Sequence, residues 1–313
     1  MPTVLVRLPN HVGDACMALP AVRLLAQAGL APVLVGKAWA GDLFAGLGWR
    51  FEPIEGPVVS DTQRMRALAA QLGGAPRAVL LPNSIGSALL FRMAGARSAG
   101  LATDGRGWLL EAALPEPPPM HEVERFWRVA AGALVHWGLP LKADGPAPEL
   151  GLTLARRHEA AANRALKEGG VPARYALLAP VATGLHKGRV KHWPQFAALV
   201  EPLRARGLEP IALPPPNEAE ASRAALPGAR ILPAVTLGAY AALAARAAVV
   251  VANDSGVSHV AAAVGARQVT IFGVTEAART GPWNPRALGV GAMNAWPEPA
   301  AVLATIDQAL ARP

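Results

Sequence analysis

Short apolar strands alternate with amphipathic helices, and the alternation runs twice through this 313-residue chain. No other feature restricts its fold as strongly. Residues 3–8 are a β-branched and Leu-rich run. The loop Pro9-Asn10-His11-Val12-Gly13 follows, and then Met17, Leu19, Val22, Leu24 and Leu25 recur at helical spacing. Further strands are expected at 32–36 and 78–82, with helices around 39–48, 62–72 and 122–137. Segment 138–148, rich in Pro and Gly, reads as a linker, which divides the chain into domains 1–150 and 151–313. The second half restarts the pattern, with helices at 156–168, 195–206, 237–246 and 257–264 and strands at 175–179, 209–213, 248–252 and 268–272. Such alternation implies an α/β fold of two doubly wound parallel sheets covered by helices on both faces. Ligands of open α/β sheets bind beyond the carboxyl ends of the strands, so two such domains are expected to face a central cleft.

Composition removes several other classes. A chain that is 52% hydrophobic and 17% charged is not disordered, and its 31 Gly and 30 Pro show no collagen-like period. The longest run without Asp, Glu, Lys or Arg is fifteen residues, 231–245, broken by Pro233 and Gly238. A spanning helix needs about 20 apolar residues, so none is expected. The N-terminus enters its first strand without a basic region or a cleavage site, which predicts a cytoplasmic protein. Cys16 is the only cysteine, which excludes an internal disulfide and a Cys-based zinc cage. The net charge of +8 is uneven: residues 1–150 hold 13 Lys+Arg against 12 Asp+Glu, and residues 151–313 hold 17 against 10. The second half therefore either holds an anionic ligand or has a generally basic surface. No nucleic-acid partner is expected.

Three constellations could carry chemistry. Asn10-His11-Val12-Gly13-Asp14 lies where the first strand gives way to the first helix. An Asp there either caps the helix or presents a carboxylate to a ligand. No GxGxxG accompanies it, which argues against a dinucleotide-dependent dehydrogenase. The second is Thr183-Gly184-Leu185-His186-Lys187-Gly188-Arg189-Val190-Lys191, after the strand at 175–179. Thr183 and Gly184 can offer a hydroxyl and close backbone N–H groups, and Lys187, Arg189 and Lys191 can offset phosphate charge. A solvated basic loop is the other reading, and the Walker spacing is absent. The third is Asn253-Asp254-Ser255-Gly256-Val257-Ser258-His259, a polar turn opening an Ala-rich helix. Free N–H groups at that helix start suit a phosphate. Equally, Asp254 or Ser255 could serve as a cap and His259 as a core residue.

Taken in order, Gly13-Asp14 with Leu19-Pro20-Ala21, His121-x-Val123-Glu124-Arg125, Lys191-x-Trp193-Pro194, Asn253-Asp254-Ser255-Gly256-x-x-His259, Phe272-Gly273-x-Thr275 and Arg279-Thr280-Gly281-Pro282 resemble the bacterial ADP-heptose:lipopolysaccharide heptosyltransferases, glycosyltransferase family 9. The resemblance spans nearly the whole chain. It implies a GT-B fold with an acceptor-binding first domain and a donor-binding second domain, both Rossmann-like. It also implies inverting, metal-independent transfer of heptose from ADP-heptose to a lipid A-linked core sugar, with the nucleotide sugar as co-substrate and no other cofactor. By the same resemblance Asp14 is the general base and Lys191 lies near the sugar and diphosphate. Asp254 lies near the donor sugar, Ser255 and Gly256 bind phosphate with His259 behind them, and Thr183 and Gly184 also face the donor. His121 and Arg125 are assigned to the acceptor.

Two departures stand out. The 183–191 loop is longer than is usual in the family, and Pro214-Pro215-Pro216 occupy positions where glycines are common near the nucleotide. ADP as the nucleotide therefore rests on resemblance. The rival readings are a related GT-B enzyme using another nucleotide sugar, and a non-catalytic nucleotide-sugar-binding subunit. A lipid-linked acceptor further implies peripheral contact with the anionic inner-membrane surface, with Arg92, Arg97 and Arg106 flanking apolar 89–91 and 108–110 as candidates.

Overall fold

A computed structural model of the chain describes residues 1–54, 58–182, 185–186 and 188–312. Two compact units divide it, Met1–Ala147 and Pro148–Pro313. Unit one runs β1 (Thr3–Arg7), α1 (Val12–Met17), α2 (Leu19–Gln27), β2 (Ala31–Gly36), α3 (Ala38–Leu43), β3 (Arg50–Pro53), α4 (Val58–Gln71), β4 (Arg77–Leu80), α5 (Ile85–Met93), β5 (Arg97–Leu101), β6 (Ala112–Leu114) and α6 (Glu122–His136). Its six strands are all parallel, in the order β3-β2-β1-β4-β5-β6.

The centre of this sheet follows from its residues. Val4, Leu5 and Val6 are completely buried, as an unbroken apolar run in a two-sided parallel sheet requires. Leu5, Val33, Ala78 and Leu80 pack on Met65 and Leu68 of α4 and on Leu90 and Phe91 of α5, while α2 and α6 pair with one another. Strand β5 sits inside the sheet despite its Arg-Ser-Ala-Gly-Leu sequence because small side chains are needed there. A Cβ on Gly100 would stand 3.2 Å from both the Leu80 carbonyl and the Arg106 guanidinium.

Arg106 corrects one expectation. It does not face a membrane but is fully buried, with Nε donating to the Leu101 carbonyl (2.8 Å) and Nη1 to those of Pro82 (2.6 Å) and Ser84 (3.2 Å). Burial lowers its pKa; nearby Asp104 opposes the shift and Arg125 adds to it. One guanidinium thus holds together the loops that leave β4 and β5.

Unit two runs α7 (Arg156–Glu168), β7 (Tyr175–Ala179), a two-stranded hairpin of β8 (Leu185–His186) and β9 (Arg189–Val190), α8 (Val200–Ala205), β10 (Glu209–Ala212), α9 (Ala219–Ala225), β11 (Arg230–Ile231), α10 (Leu237–Arg246), β12 (Val249–Asn253), α11 (Gly256–Ala263), β13 (Gln268–Ile271), α12 (Ala277–Thr280), β14 (Ala287–Val290) and α13 (Pro299–Ala311). The main sheet has the order β11-β10-β7-β12-β13-β14 and is again wholly parallel. With the hairpin set aside, this is the winding of unit one. The single helix expected at 195–206 is instead a 3-10 turn, Phe196–Leu199, leading into α8. Pro202 is the cause, since it has no N–H for a bond back to Ala198. Trp193, Phe196, Leu203, Val251, Ile271 and Ile306 belong to the core on this side of the sheet.

Arg106→Met keeps much of the volume but leaves three carbonyls without their donor. Hydrogen bonds to charged groups contribute about 1.5–3 kcal/mol each, so the variant should lose on the order of 3 kcal/mol once methionine packing offsets part of the cost. Urea denaturation checks this, and an unchanged midpoint would show that the guanidinium does not hold these loops.

Candidate active site

In a sheet wound 3-2-1-4-5-6, the connections leaving strands one and four diverge, and a crevice opens at their carboxyl ends. Those strands are β1 and β4 in unit one and β7 and β12 in unit two. The residues singled out from sequence follow three of the four: Asp14 after β1, Lys191 after β7 and Asp254 after β12.

In unit two the geometry rests on Asn253, the fully buried last residue of β12. Its Nδ2 donates to the Pro180 carbonyl (2.8 Å) and the Ala179 carbonyl (3.3 Å), where the chain leaves β7. Its Oδ1 accepts from the backbone N–H of Trp193 (2.8 Å), where the chain returns. A single amide therefore closes both ends of the loop that contains Lys191. Trp193 is itself fixed: Nε1 donates to the Pro297 carbonyl (2.9 Å), and its ring meets Phe196 edge-on at 5.4 Å. Lys191, two residues before this anchor, is half-buried, and no ion pair to it occurs among the described residues. Arg189 is exposed, and its Nη1 donates to Asn294 Oδ1, which ties the hairpin to the loop after β14. Thr183, Gly184 and Lys187 lie outside the described residues.

Beyond Asn253 the chain turns through Asp254 and Ser255 into α11. Ser255 is the N-cap residue by position, yet its side chain makes no capping bond, and its Oγ has no hydrogen-bond partner among the described residues. Helix starts normally satisfy their free N–H groups with such an oxygen. Here N–H groups, hydroxyl and the positive end of the helix dipole are left for an anion. Asp254 is buried beneath; Oδ2 accepts from Thr280 Oγ1 (3.4 Å), and Oδ1 lies 3.7 Å from Nε2 of His259. Two separate sequence motifs thus meet at one carboxylate. Thr275 Oγ1, in the loop after β13, is also buried, with no hydrogen-bond partner among the described residues. Gly273 keeps that loop tight, since a Cβ there would strike the Trp296 ring at 2.2 Å. Under α11, Ser258, Thr270 and Gln268 form a buried hydrogen-bonded floor.

In unit one, His11 is the N-cap residue of α1, so Asp14 is not the cap; it sits in the first turn, half-buried. Sequence reasoning gave no role to Arg7, the buried last residue of β1. Its Nη2 donates to Asn10 Oδ1 (2.5 Å) and its Nη1 to the Leu8 carbonyl, which fixes the loop leading to Asp14. Burial lowers its pKa to about 10, against the opposing pull of Asp61. His121 caps α6, with Nδ1 accepting from the Val123 N–H (3.2 Å) and its own N–H donating to Glu124 (3.3 Å). Arg125 pairs with Glu116 (3.2 Å) and Glu122 (3.5 Å). Helices α1 and α6, which carry Asp14 and Arg125, touch one another. Among the described residues, no three His, Cys, Asp or Glu side chains are grouped to hold a metal ion.

The two units are wound alike, and in the second an uncapped helix start follows the strand whose last residue clamps the basic loop. The profile of glycosyltransferase family 9 (heptosyltransferase) matches residues 65–308, and the chain belongs to that family. Among solved structures, ADP-heptose lps heptosyltransferase II of E. coli superposes with a TM-score of 0.81 at 24% identity, covering 98% of each chain. E. coli heptosyltransferase WaaC with ADP gives 0.77 at 21%, covering 98% of this chain and 99% of that one. A glycosyl transferase family 9 structure from Veillonella parvula gives 0.76 at 16%, covering 92% and 85%. No curated protein matches by sequence.

Replacing Asn253 with Leu removes three bonds while keeping the volume. Each is worth about 1 kcal/mol net, so the Trp193 amide should exchange with deuterium roughly ten times faster or more. Unaltered protection across the peptides flanking the loop would show that the clamp does not hold it.

Proposed function

We propose that this glycosyltransferase moves heptose from ADP-heptose to a lipid A-linked sugar in lipopolysaccharide core assembly, with inversion and without a metal ion. The observation that carries the reading is the uncapped start of α11, with Ser255 Oγ unpartnered and Asp254 buried behind it. It is supported by the matched family and by the E. coli WaaC structures, which hold ADP and ADP-2-deoxy-2-fluoro heptose.

In this mechanism Asp14 takes the proton of the acceptor hydroxyl as that oxygen attacks the anomeric carbon. The bond from that carbon to the diphosphate breaks on the opposite face, and its electron pair leaves with ADP. Lys191, Ser255 and the N–H groups of Gly256 and its successor meet the charge that develops on the diphosphate. Asp254, flanked by His259 and Thr280, accepts hydrogen bonds from donor sugar hydroxyls. Thr183 and Gly184 are assigned to the same diphosphate. His121 and Arg125 serve the acceptor, Arg125 by exchanging Glu116 or Glu122 for an acceptor group. The first unit is thus the acceptor unit and the second the donor unit. The enzyme works at the cytoplasmic face as a peripheral protein; among the described residues no helix is long and apolar enough to cross a membrane.

Asp14→Asn preserves shape but cannot accept the proton, and a positioned base contributes about 10² to 10⁴ in rate. Turnover should fall by that factor while calorimetry with ADP gives the wild-type affinity; wild-type turnover would place the base elsewhere. A nucleotide-sugar panel tests the donor, and preferred transfer from a UDP or GDP sugar would replace ADP-heptose in this reading. Transfer should also survive EDTA. Loss on chelation with recovery on adding a divalent cation would overturn metal-independence.

A further inference from the structure

A helix on the outside of an α/β unit ordinarily turns charged residues to water. Helix α5 does not. Its inward residues Ala88, Leu90 and Phe91 enter the core with Leu109 and Leu110, and its exposed residues are Ile85, Gly86, Leu89, Arg92 and Met93. Four residues apart, Ile85, Leu89 and Met93 form one stripe, 51%, 38% and 43% exposed. The turn at 106–109 packs beside α5 and adds Trp108, 77% exposed. Other exposed large hydrophobics among the described residues, such as Val59, Val135 and Val190, lie on other elements.

Basic side chains predominate around the stripe, bordered by Asp104, exposed just before the Trp108 turn, and by Glu111 beside Arg92 and Arg97. Residues 62–103 contain no Asp or Glu and five arginines. Three are engaged elsewhere: Arg64 at the Pro53 carbonyl, Arg77 over the Trp137 ring and Arg97 with Glu111. Arg92 is exposed within the α5 face, and Arg66, also exposed, donates to the Met93 carbonyl (2.9 Å), so both cations flank the stripe. Ile85 directly follows Ser84, whose carbonyl is held by Arg106 together with those of Pro82 and Leu101. The stripe is therefore joined rigidly to the edge of the sheet.

We propose that the Ile85-Leu89-Met93 stripe and Trp108 form a docking face for an anionic lipid surface. The apolar side chains enter the headgroup boundary, Trp108 sits at the interface, and Arg66 and Arg92 meet lipid phosphates. This rests on the lipid-linked acceptor proposed above and would bring that acceptor's membrane to the unit carrying Asp14. A second copy of the chain fits less well, because a two-fold contact would set the same cations against one another.

The test is flotation of the full-length protein with vesicles of phosphatidylethanolamine and phosphatidylglycerol, and with phosphatidylcholine alone. Wild type should float with the anionic vesicles at low salt and be released at high salt. The triple variant I85S/L89S/M93S, and separately W108S, should lose roughly tenfold or more in partitioning, the order set by burial of one large apolar side chain. Thermal melts and ADP affinity should stay at wild-type values. Equal partitioning of variants and wild type, no wild-type binding to either vesicle, or a wild-type dimer that the triple variant dissolves would overturn the proposal. Transfer to a soluble acceptor sugar reports separately on the heptosyltransferase reading: vesicle binding without transfer defeats that reading and leaves the surface standing, and the reverse result does the opposite.

Discussion

A parallel sheet covered on both faces leaves a ligand only the carboxyl edge of its strands. The residues proposed to act on substrate lie along that edge, in both units, and the arrangement needs loops held firmly at their roots. The two units meet this need with different chemistry. Unit one uses buried guanidinium groups, Arg7 at the end of β1 and Arg106 against the loops after β4 and β5. Unit two uses a neutral amide, Asn253, and the indole N–H of Trp193.

The difference has an electrostatic sense. On unit one each buried cation has charged neighbours of its own: Asp61 offsets part of the burial cost of Arg7, while Arg106 feels Asp104 and, with the opposite sign, Arg125. On unit two the clamp is neutral, so it adds no charge at the start of α11, where the helix dipole and the buried Asp254 carboxylate stand. Ser258, Thr270 and Gln268 hydrogen-bond to one another below α11 without adding charge.

Much of this was legible in the sequence, for physical reasons that also mark where legibility stops. Strands β1, β7 and β12 are read directly because each is an apolar run buried on both faces. Strands β3, β6, β11 and β14 escaped because they are two to four residues long and lie toward the sheet margins; β5 escaped because its interior place demands small residues, which carry no strand signature. Asp254, Ser255 and Gly256 could be found because a helix start is a local event. The roles of Asn253 and Arg106 could not, since an amide reaching a backbone 60 residues away, or a guanidinium reaching one 24 away, depends on the folded sheet. The structure puts His11, not Asp14, at the N-cap position of α1.

The Asn253 clamp has a further consequence for how this part of the molecule can vary. Because one side chain fixes Pro180 and Trp193 together, the chain between them is a closed loop whose ends do not depend on its contents. Loop-closure entropy rises only slowly with length, by about 0.6 kcal/mol per doubling. The segment is therefore a modular insert: apart from the tie of Arg189 to Asn294, it can be lengthened, shortened or exchanged for another sequence while the sheet beneath it keeps its geometry.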